Sequence, residues 1–566
     1  MEKYLENYEK WLSSPALTEA EKDELRGIAD NKKEIEERFA KGLSFGTAGL
    51  RGVMKTGWNA MNVHTVAHAT QGLANLILAE KRPADGFAVA YDCRNHSAEF
   101  ARTAACVLAA NGVKVYLFDA LRPTPELSFA LRELHCVAGI NITASHNPKQ
   151  YNGYKAYWED GAQLPPEHAD TVSAEIAKLD IFADVKSCDY NTAVADGRIT
   201  VIGAEIDEKY LAAVAAQAVN PQAVRAVADD LRIVYTPLHG TGHKLVPEIM
   251  RRVGLKHLYT VDEQMVIDGN FPTVEKPNPE YPEVFRLGIA LADKVGSDLI
   301  IATDPDADRV GVMTRTKAGD FKTITGNQMG ALLIDYIITA YRETNTMPPH
   351  PYVVKSIVST ELATKICDAN GVKMHNVLTG FKFIGEQIGL LEKEGHTERY
   401  IFGFEESYGY LSGTSVRDKD AVNAAVLVCE MAANYKAQGL TLLDKLEQLR
   451  EEFGFYAQRL LTFQYEGESG AAKMADIMRK LRAPLDTFQD AHFPTATRID
   501  YQNDETGLPK SDVLSFALAD GSKIIVRPSG TEPKLKAYLF ARGENQAAAE
   551  KVLDELETLM NGYCKE

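Results

Sequence analysis

One unit recurs four times in this chain. A short apolar run breaks into a loop of small, polar and charged residues. Residues 136–140 lead to Thr143-Ala144-Ser145-His146-Asn147-Pro148, and residues 298–302 lead to Thr303-Asp304-Pro305-Asp306-Ala307-Asp308-Arg309. Residues 399–402 lead to Gly403-Phe404-Glu405-Glu406-Ser407, and residues 523–526 lead to Arg527-Pro528-Ser529-Gly530-Thr531. Each run is too short for a buried helix and predicts a buried strand. Open α/β sheets present ligands beyond the carboxyl ends of their strands, so the four loops are the candidate functional surface. A chain of 566 residues exceeds one core, and a prior of about 150 residues per domain predicts about four. One such loop from each domain implies a shared cleft.

The rest of the pattern fits that architecture. Residues 1–40 predict amphipathic helix, with Tyr4, Leu5, Tyr8 and Leu12 on one face. Helices are expected at 62–80, 98–110 and 326–342, and strands at 87–91, 113–118, 231–235 and 352–354. Residues 272–282 are proline-rich and predict a loop. Asn152-Gly153 predicts a turn that brings Lys155 back toward Ser145. The expected fold class is α/β: three similar mixed α/β domains and a C-terminal α+β domain around a central cleft. The expected boundaries are 1–204, 205–317, 318–452 and 453–566.

Composition removes several function classes. The net charge of −17 argues against nucleic acid and anionic membranes as partners. It requires any phosphate site to be built from a local cluster of cations. No apolar run reaches the about 18 residues that a membrane-spanning helix needs. The first residues are charged and show no signal core, and the seven scattered cysteines predict free thiols, so a cytoplasmic location is expected. Monomer and homodimer are equally open.

The loops carry distinct chemistry. Ser145, with His146 beside it, can act as a nucleophile or phosphoryl carrier, although Ser, Asn and Pro also make ordinary turns. Asp304, Asp306 and Asp308 stand at alternate positions, which in an extended segment puts three carboxylates on one side. Three hard oxygen donors suit Mg²⁺ or Ca²⁺. An EF-hand is excluded because Arg309 and Arg315 stand where its Gly and Glu belong. Arg527, Ser529, Gly530 and Thr531 make a phosphate cradle. Glu405, Glu406 and Ser407 can accept from sugar hydroxyls. The glycine-rich run 45–52 lets a ligand approach, with Arg51 to meet an anion. The required cations are Lys155, Arg309, Lys382, Arg417 and Arg527.

In these four motifs, their order and their spacing, the chain resembles the α-D-phosphohexomutase superfamily, from Phe45 to about Lys534. Residues 45–52, 236–242 and 416–420 look most like the bacterial α-phosphoglucomutase branch. That branch also resembles phosphopentomutases and glucose-1,6-bisphosphate synthases. The resemblance implies a mutase that interconverts glucose 1-phosphate and glucose 6-phosphate through phosphoserine 145 and a glucose 1,6-bisphosphate intermediate, which also serves as primer. It implies one Mg²⁺ on Asp304, Asp306, Asp308 and an oxygen of phosphorylated Ser145. It assigns catalysis to Ser145, His146, Lys155, Arg309, Lys382 and Arg51, with either His146 or Lys382 as general acid/base. Asn147 and Lys149 would hold the loop. It assigns substrate binding to Thr379, Gly380, Glu405, Ser407, Arg417, Arg527, Ser529, Gly530 and Thr531. Two departures from the phosphomannomutase type stand out. Phe404 and Glu406 replace Gly and Met in the sugar loop, and Phe381-Lys382 stands where a histidine follows Thr-Gly. They favour glucose over mannose and leave pentose open. The alternatives are a phosphomannomutase, a phosphopentomutase, a phosphoserine-using sugar phosphatase and a silent sugar-phosphate binder.

Overall fold

A computed structural model gives the fold and describes residues 2–46, 49–465, 467–483, 488, 493–503, 506–529 and 534–565. Three helices come first, Lys3–Leu12, Glu19–Arg26 and Lys32–Phe39. They close over Tyr8, Trp11, Leu25, Ile35 and Phe39, with Tyr4, Leu5 and Leu12 packed beside them.

The first sheet has the spatial order Leu50–Val53, Tyr151–Trp158, Ala138–Ile142, Phe87–Tyr91, Val115–Phe118, Ile199–Ile202. Its last four strands are parallel, so the chain leaves Tyr91 and Ile142 at the same end. Asn152 and Gly153 do not turn. They lie inside the strand Tyr151–Trp158, paired to Leu50–Val53 on one side and Ala138–Ile142 on the other. Pairing on both sides overrides the local turn preference. A Cβ on Gly153 would stand 2.5 Å from the Thr143 carbonyl oxygen and 2.9 Å from that of Leu50, so close backbone approach explains the glycine.

In the second sheet the parallel strands His257–Thr260, Arg232–Thr236 and Leu299–Thr303 are followed by Val310–Arg315 and Phe321–Ile324, both antiparallel. Phe321–Ile324 pairs in this sheet, so the second unit extends to residue 324 and the boundary expected at 317/318 shifts. The third sheet holds the parallel strands Lys373–Val377, Tyr352–Ser356 and Tyr400–Glu405, closed by antiparallel Gly409–Leu411. The fourth is wholly antiparallel, from Phe455–Gln464 through Lys534–Gly543, Lys523–Pro528 and Leu514–Leu518 to Thr495–Asp500. Helices Gly467–Arg482 and Gln546–Lys565 cover one face of it.

A continuous apolar core joins the first three units, running from Leu127 through Ile233 and Ile301 to Phe402. The helix Ala421–Ala437 is buried along almost its whole length within it, as expected of a helix apolar on every side. The fourth unit docks more lightly, through Ile525, Tyr538 and Phe540 against Ile357, Val358 and Leu378. Lys523 Nζ also lies 3.1 Å from Glu361 Oε1. Among the described residues no helix is long and apolar enough to cross a membrane.

Candidate active site

The serine loop leaves the strand Ala138–Ile142 at its carboxyl end. Ser145 takes the left-handed backbone region (φ 52°), which a non-glycine residue holds only when its surroundings impose it. The imposing group is Arg94, which sequence reasoning did not single out. Its guanidinium donates to the carbonyl oxygens of Ser145, Asn147, Pro148 and Tyr151, and pairs with buried Asp92 at 3.2 Å. Four carbonyls on one buried cation fix the loop. Arg51 Nη1 donates to Asn147 Oδ1 at 3.2 Å, while Lys149 is exposed.

Across the domain boundary stands the aspartate loop. It is a tight turn and not the extended segment that alternation implied. Ala307 has φ 50°, and its N–H donates to the Asp304 carbonyl oxygen. Asp304 Oδ1 accepts the N–H groups of Asp308 and Arg309. The carboxylates converge because the turn wraps around Asp304. One oxygen from each lies within 4.8 Å of the others, and all three residues are buried. Ser145 Oγ donates to Asp304 Oδ2 at 2.8 Å, so the serine loop and the aspartate loop form one site.

Charge is neutralised from three sides. Lys155 Nζ lies 2.6 Å from Asp306 Oδ2 and 2.9 Å from Asp308 Oδ2. Lys419 Nζ lies 3.1 Å from Asp308 Oδ2. Arg309 Nη1 reaches Glu280 Oε1 at 2.7 Å and the Ser407 carbonyl oxygen at 3.0 Å, tying the aspartate loop to the sugar loop. Burial and the charges of Asp306 and Asp308 push the Asp304 carboxyl well above the usual range. Burial acts the same way on Asp308, but Lys155, Lys419 and Arg309 outweigh it and hold that carboxyl low. The triad fits a hard cation. Asp306 Oδ1 and Asp308 Oδ1 are buried without a hydrogen-bond partner among the described residues. With Asp304 Oδ2 and Ser145 Oγ they make an all-oxygen donor set of the kind Mg²⁺ takes.

Above this floor opens a cleft of about 1580 Å³ lined by His146, Glu280, Arg309, Thr379, Gly380, Lys382, Glu405, Glu406, Ser407 and Arg527. That exceeds the about 300–1,000 Å³ of ordinary small-molecule pockets. His146 Nδ1 lies 3.2 Å from Ser145 Oγ. Burial, Arg309 and Arg51 push its pKa well down. Glu405 Oε1 accepts the Gly380 N–H at 2.6 Å, which links the two stretches expected to meet the sugar. Burial and the neighbouring Glu405 raise Glu406 to about 7. Lys536, absent from the expected set, joins Arg527 on the wall from the adjacent strand, and burial next to Arg527 pulls its pKa down.

Arg417 does not line the cleft. It is fully buried, donates to the carbonyl oxygens of Thr414 and Val416, and pairs with Glu392 Oε2 at 2.9 Å. Arg132 of the first unit meets the same Glu392 at 2.7 Å, so Arg417 helps staple the first unit to the third. Two residues on, Lys419 reaches the site instead. Ser529 lies at the end of its strand, its N–H donating to the Lys534 carbonyl oxygen. Gly530 and Thr531 lie outside the described residues.

Comparison with known proteins agrees with this geometry. Residues 42–181, 208–319 and 325–453 match the phosphoglucomutase/phosphomannomutase alpha/beta/alpha domains I, II and III, and residues 467–559 match the C-terminal domain. The phosphoglucomutase of Staphylococcus epidermidis is 38% identical over 538 residues, spanning 93% of this chain and 95% of that one. The phosphoglucomutase of Staphylococcus aureus is 37% identical, spanning 91% and 93%. Among solved structures, parafusin from Paramecium, a phosphoglucomutase in its open form, shares the fold with TM-score 0.72 at 17% identity over 93% and 96% of the two chains. A family protein from Burkholderia thailandensis shares it with TM-score 0.66 at 19% identity over 92% and 97%. By its four domains and its relatives, this chain belongs to the phosphoglucomutase/phosphomannomutase family of mutases.

Proposed function

We propose that this protein interconverts glucose 1-phosphate and glucose 6-phosphate through phosphorylated Ser145 and a glucose 1,6-bisphosphate intermediate. The observation that carries the reading is the Ser145 hydroxyl, set in left-handed backbone 2.8 Å from Asp304 Oδ2 of another domain, with His146 and Arg309 of the same two loops lining the cleft. The relatives named phosphoglucomutase support glucose as the sugar. So does Glu406, the sugar-loop departure that faces the cleft. Phe404, the other, is buried against Gly330 and bears on packing alone.

In the reaction the Ser145 O–P bond breaks as an O–P bond forms to the free sugar hydroxyl, whose proton passes to a base. The bisphosphate turns round in the cleft, and its other phosphate restores phosphoserine. Phosphoryl transfer is chiefly positioning and charge neutralisation. Asp304, Asp306 and Asp308 would hold Mg²⁺, which when bound would supply Lewis-acid neutralisation of the phosphoryl oxygens. Arg309 and Lys155 hold the aspartates and sugar loop in register. His146, whose Nδ1 lies 3.2 Å from Ser145 Oγ, is within reach of a proton moving at that oxygen, although burial, Arg309 and Arg51 oppose its charging. Lys382, whose pKa burial also lowers, is the second cleft group able to take one. Glu405 and Ser407 meet sugar hydroxyls. Arg527 and Ser529 hold the phosphate that is not being transferred, together with Gly530 and Thr531. Seven free cysteines support a cytoplasmic location.

The test is Ser145→Ala. Turnover of glucose 1-phosphate to glucose 6-phosphate should fall to background, while calorimetry still detects sugar-phosphate binding. A variant with wild-type kcat would end the phosphoserine reading. Release of inorganic phosphate by the wild type in place of isomer would identify a phosphatase.

A further inference from the structure

Asp306 is gripped by a domain other than its own. Thr124, the first residue of helix Thr124–Glu133 in the first unit, donates its N–H to the Asp306 carbonyl oxygen at 2.9 Å. Its hydroxyl donates to Asp306 Oδ2 at 2.6 Å. The hydroxyl in turn accepts from Asn141 Nδ2 at 2.7 Å, and Asn141 lies in the strand that carries the serine loop. Thr124 and Asn141 are fully buried. The threonine hydroxyl has one proton, so with Asn141 donating to its oxygen that proton is committed to Asp306. Lys155 takes the same oxygen at 2.6 Å. Asp306 Oδ2 is thereby saturated, while Oδ1 is left buried and without a partner among the described residues.

We propose that Thr124, oriented by Asn141, is a positioning residue for the cation site. It fixes the Asp306 carboxylate plane so that Oδ1 alone is presented to the ion. The inference rests on the reading of the aspartates as a divalent-metal site. Metal sites depend on such outer partners, whose loss typically costs about 10–100-fold in affinity. A second consequence follows from connectivity. The strand Ala138–Ile142 bears both Asn141 and the serine loop, so the clamp couples the serine loop's strand to the metal ligand across the domain boundary.

Neither residue touches the cleft, so the decisive readout is metal binding and not turnover. Mn²⁺ would be titrated into metal-stripped, dephosphorylated full-length protein and followed by electron paramagnetic resonance, with Mg²⁺ measured by competition. Thr124→Val keeps shape and removes the hydroxyl, and should weaken binding by about tenfold or more. Thr124→Ser restores the hydroxyl and should return affinity to within about threefold of wild type. Thr124→Ala serves the same comparison if the valine variant does not fold. A rescue by serine is not expected of a methyl group that merely fills space. Equal dissociation constants for wild type and the valine or alanine variant would overturn the inference while leaving the metal site standing. Absence of metal binding by the wild type itself would overturn both.

Discussion

Lys155→Met isolates the electrostatics of the site. In the wild type, one buried ammonium serves Asp306 and Asp308 at 2.6 and 2.9 Å, and both carboxylates are at most 1% exposed. Asp306 and Asp308 counter the burial of Lys155 and keep its amino group protonated. Methionine fills similar volume and removes the charge. Two carboxylates then face Asp304, with Lys419 and Arg309 left near Asp308 and Arg51 farther out. Removing one partner of a buried ion pair costs about 3–5 kcal/mol. The first three units share one core, and at about 2.1 cal/mol/K per residue a unit of about 450 residues shifts by about 1 °C per kcal/mol, so its transition should fall by roughly 3–5 °C without divalent ions. A cation in the triad replaces the missing charge, and binding at 100 times Kd adds about 2.7 kcal/mol. Saturating Mg²⁺ should therefore recover much of the loss, and should raise the variant's melting temperature more than the wild type's. Adding Asp306→Asn to the variant should restore stability without Mg²⁺, since it removes the stranded charge. The assay is scanning calorimetry of the three proteins with EDTA or Mg²⁺. A Lys155→Met protein that melts within 1 °C (about 1 kcal/mol or less) of wild type in EDTA would refute the claim that this lysine neutralises the triad.

Two further predictions test other parts of the molecule. Arg527→Ala removes a charge-assisted contact worth about 1.5–3 kcal/mol, so KM for glucose 1-phosphate should rise by roughly ten- to a hundredfold with greater dependence on added glucose 1,6-bisphosphate; unchanged values of both would remove Arg527 from the distal phosphate site. Glu430 is a buried residue of the helix Ala421–Ala437, accepting the Val219 N–H and the Tyr336 hydroxyl, and burial lifts its pKa from 4.5 to about 7. Between those values the native state holds a proton that the unfolded chain has released, so this group's stability contribution is present below pH 4.5 and is lost as pH rises to 7, on the order of 3 kcal/mol. Glu430→Gln should flatten that fall and be more stable than wild type at pH 8, and denaturant curves that stay parallel for the two proteins from pH 5 to 8 would contradict it.

What the sequence determined by itself was local. Apolar runs that break into Ser, Asp, Glu or Arg-Pro-Ser stretches end as strands that open into loops, because burial and turn chemistry are written within about ten residues. That singled out Ser145, the three aspartates, Glu405 and Arg527 as candidates, and the alternation that builds three α/β sheets and a fourth, antiparallel one. The tertiary structure decided how those loops meet. Ser145 and Asp304 are 159 residues apart, and their hydrogen bond exists only because two domains present their strand ends to each other. Arg94, Thr124 and Lys419 act at the site through contacts with residues 51 to 182 positions away, and none stands in a motif that names its partner. The same dependence on packing sent Arg417 to Glu392 and Lys419 to Asp308, though two cations two positions apart in one loop look alike in sequence. It also kept Asn152-Gly153 in a strand, because hydrogen bonding on both sides outweighs a local preference for turning.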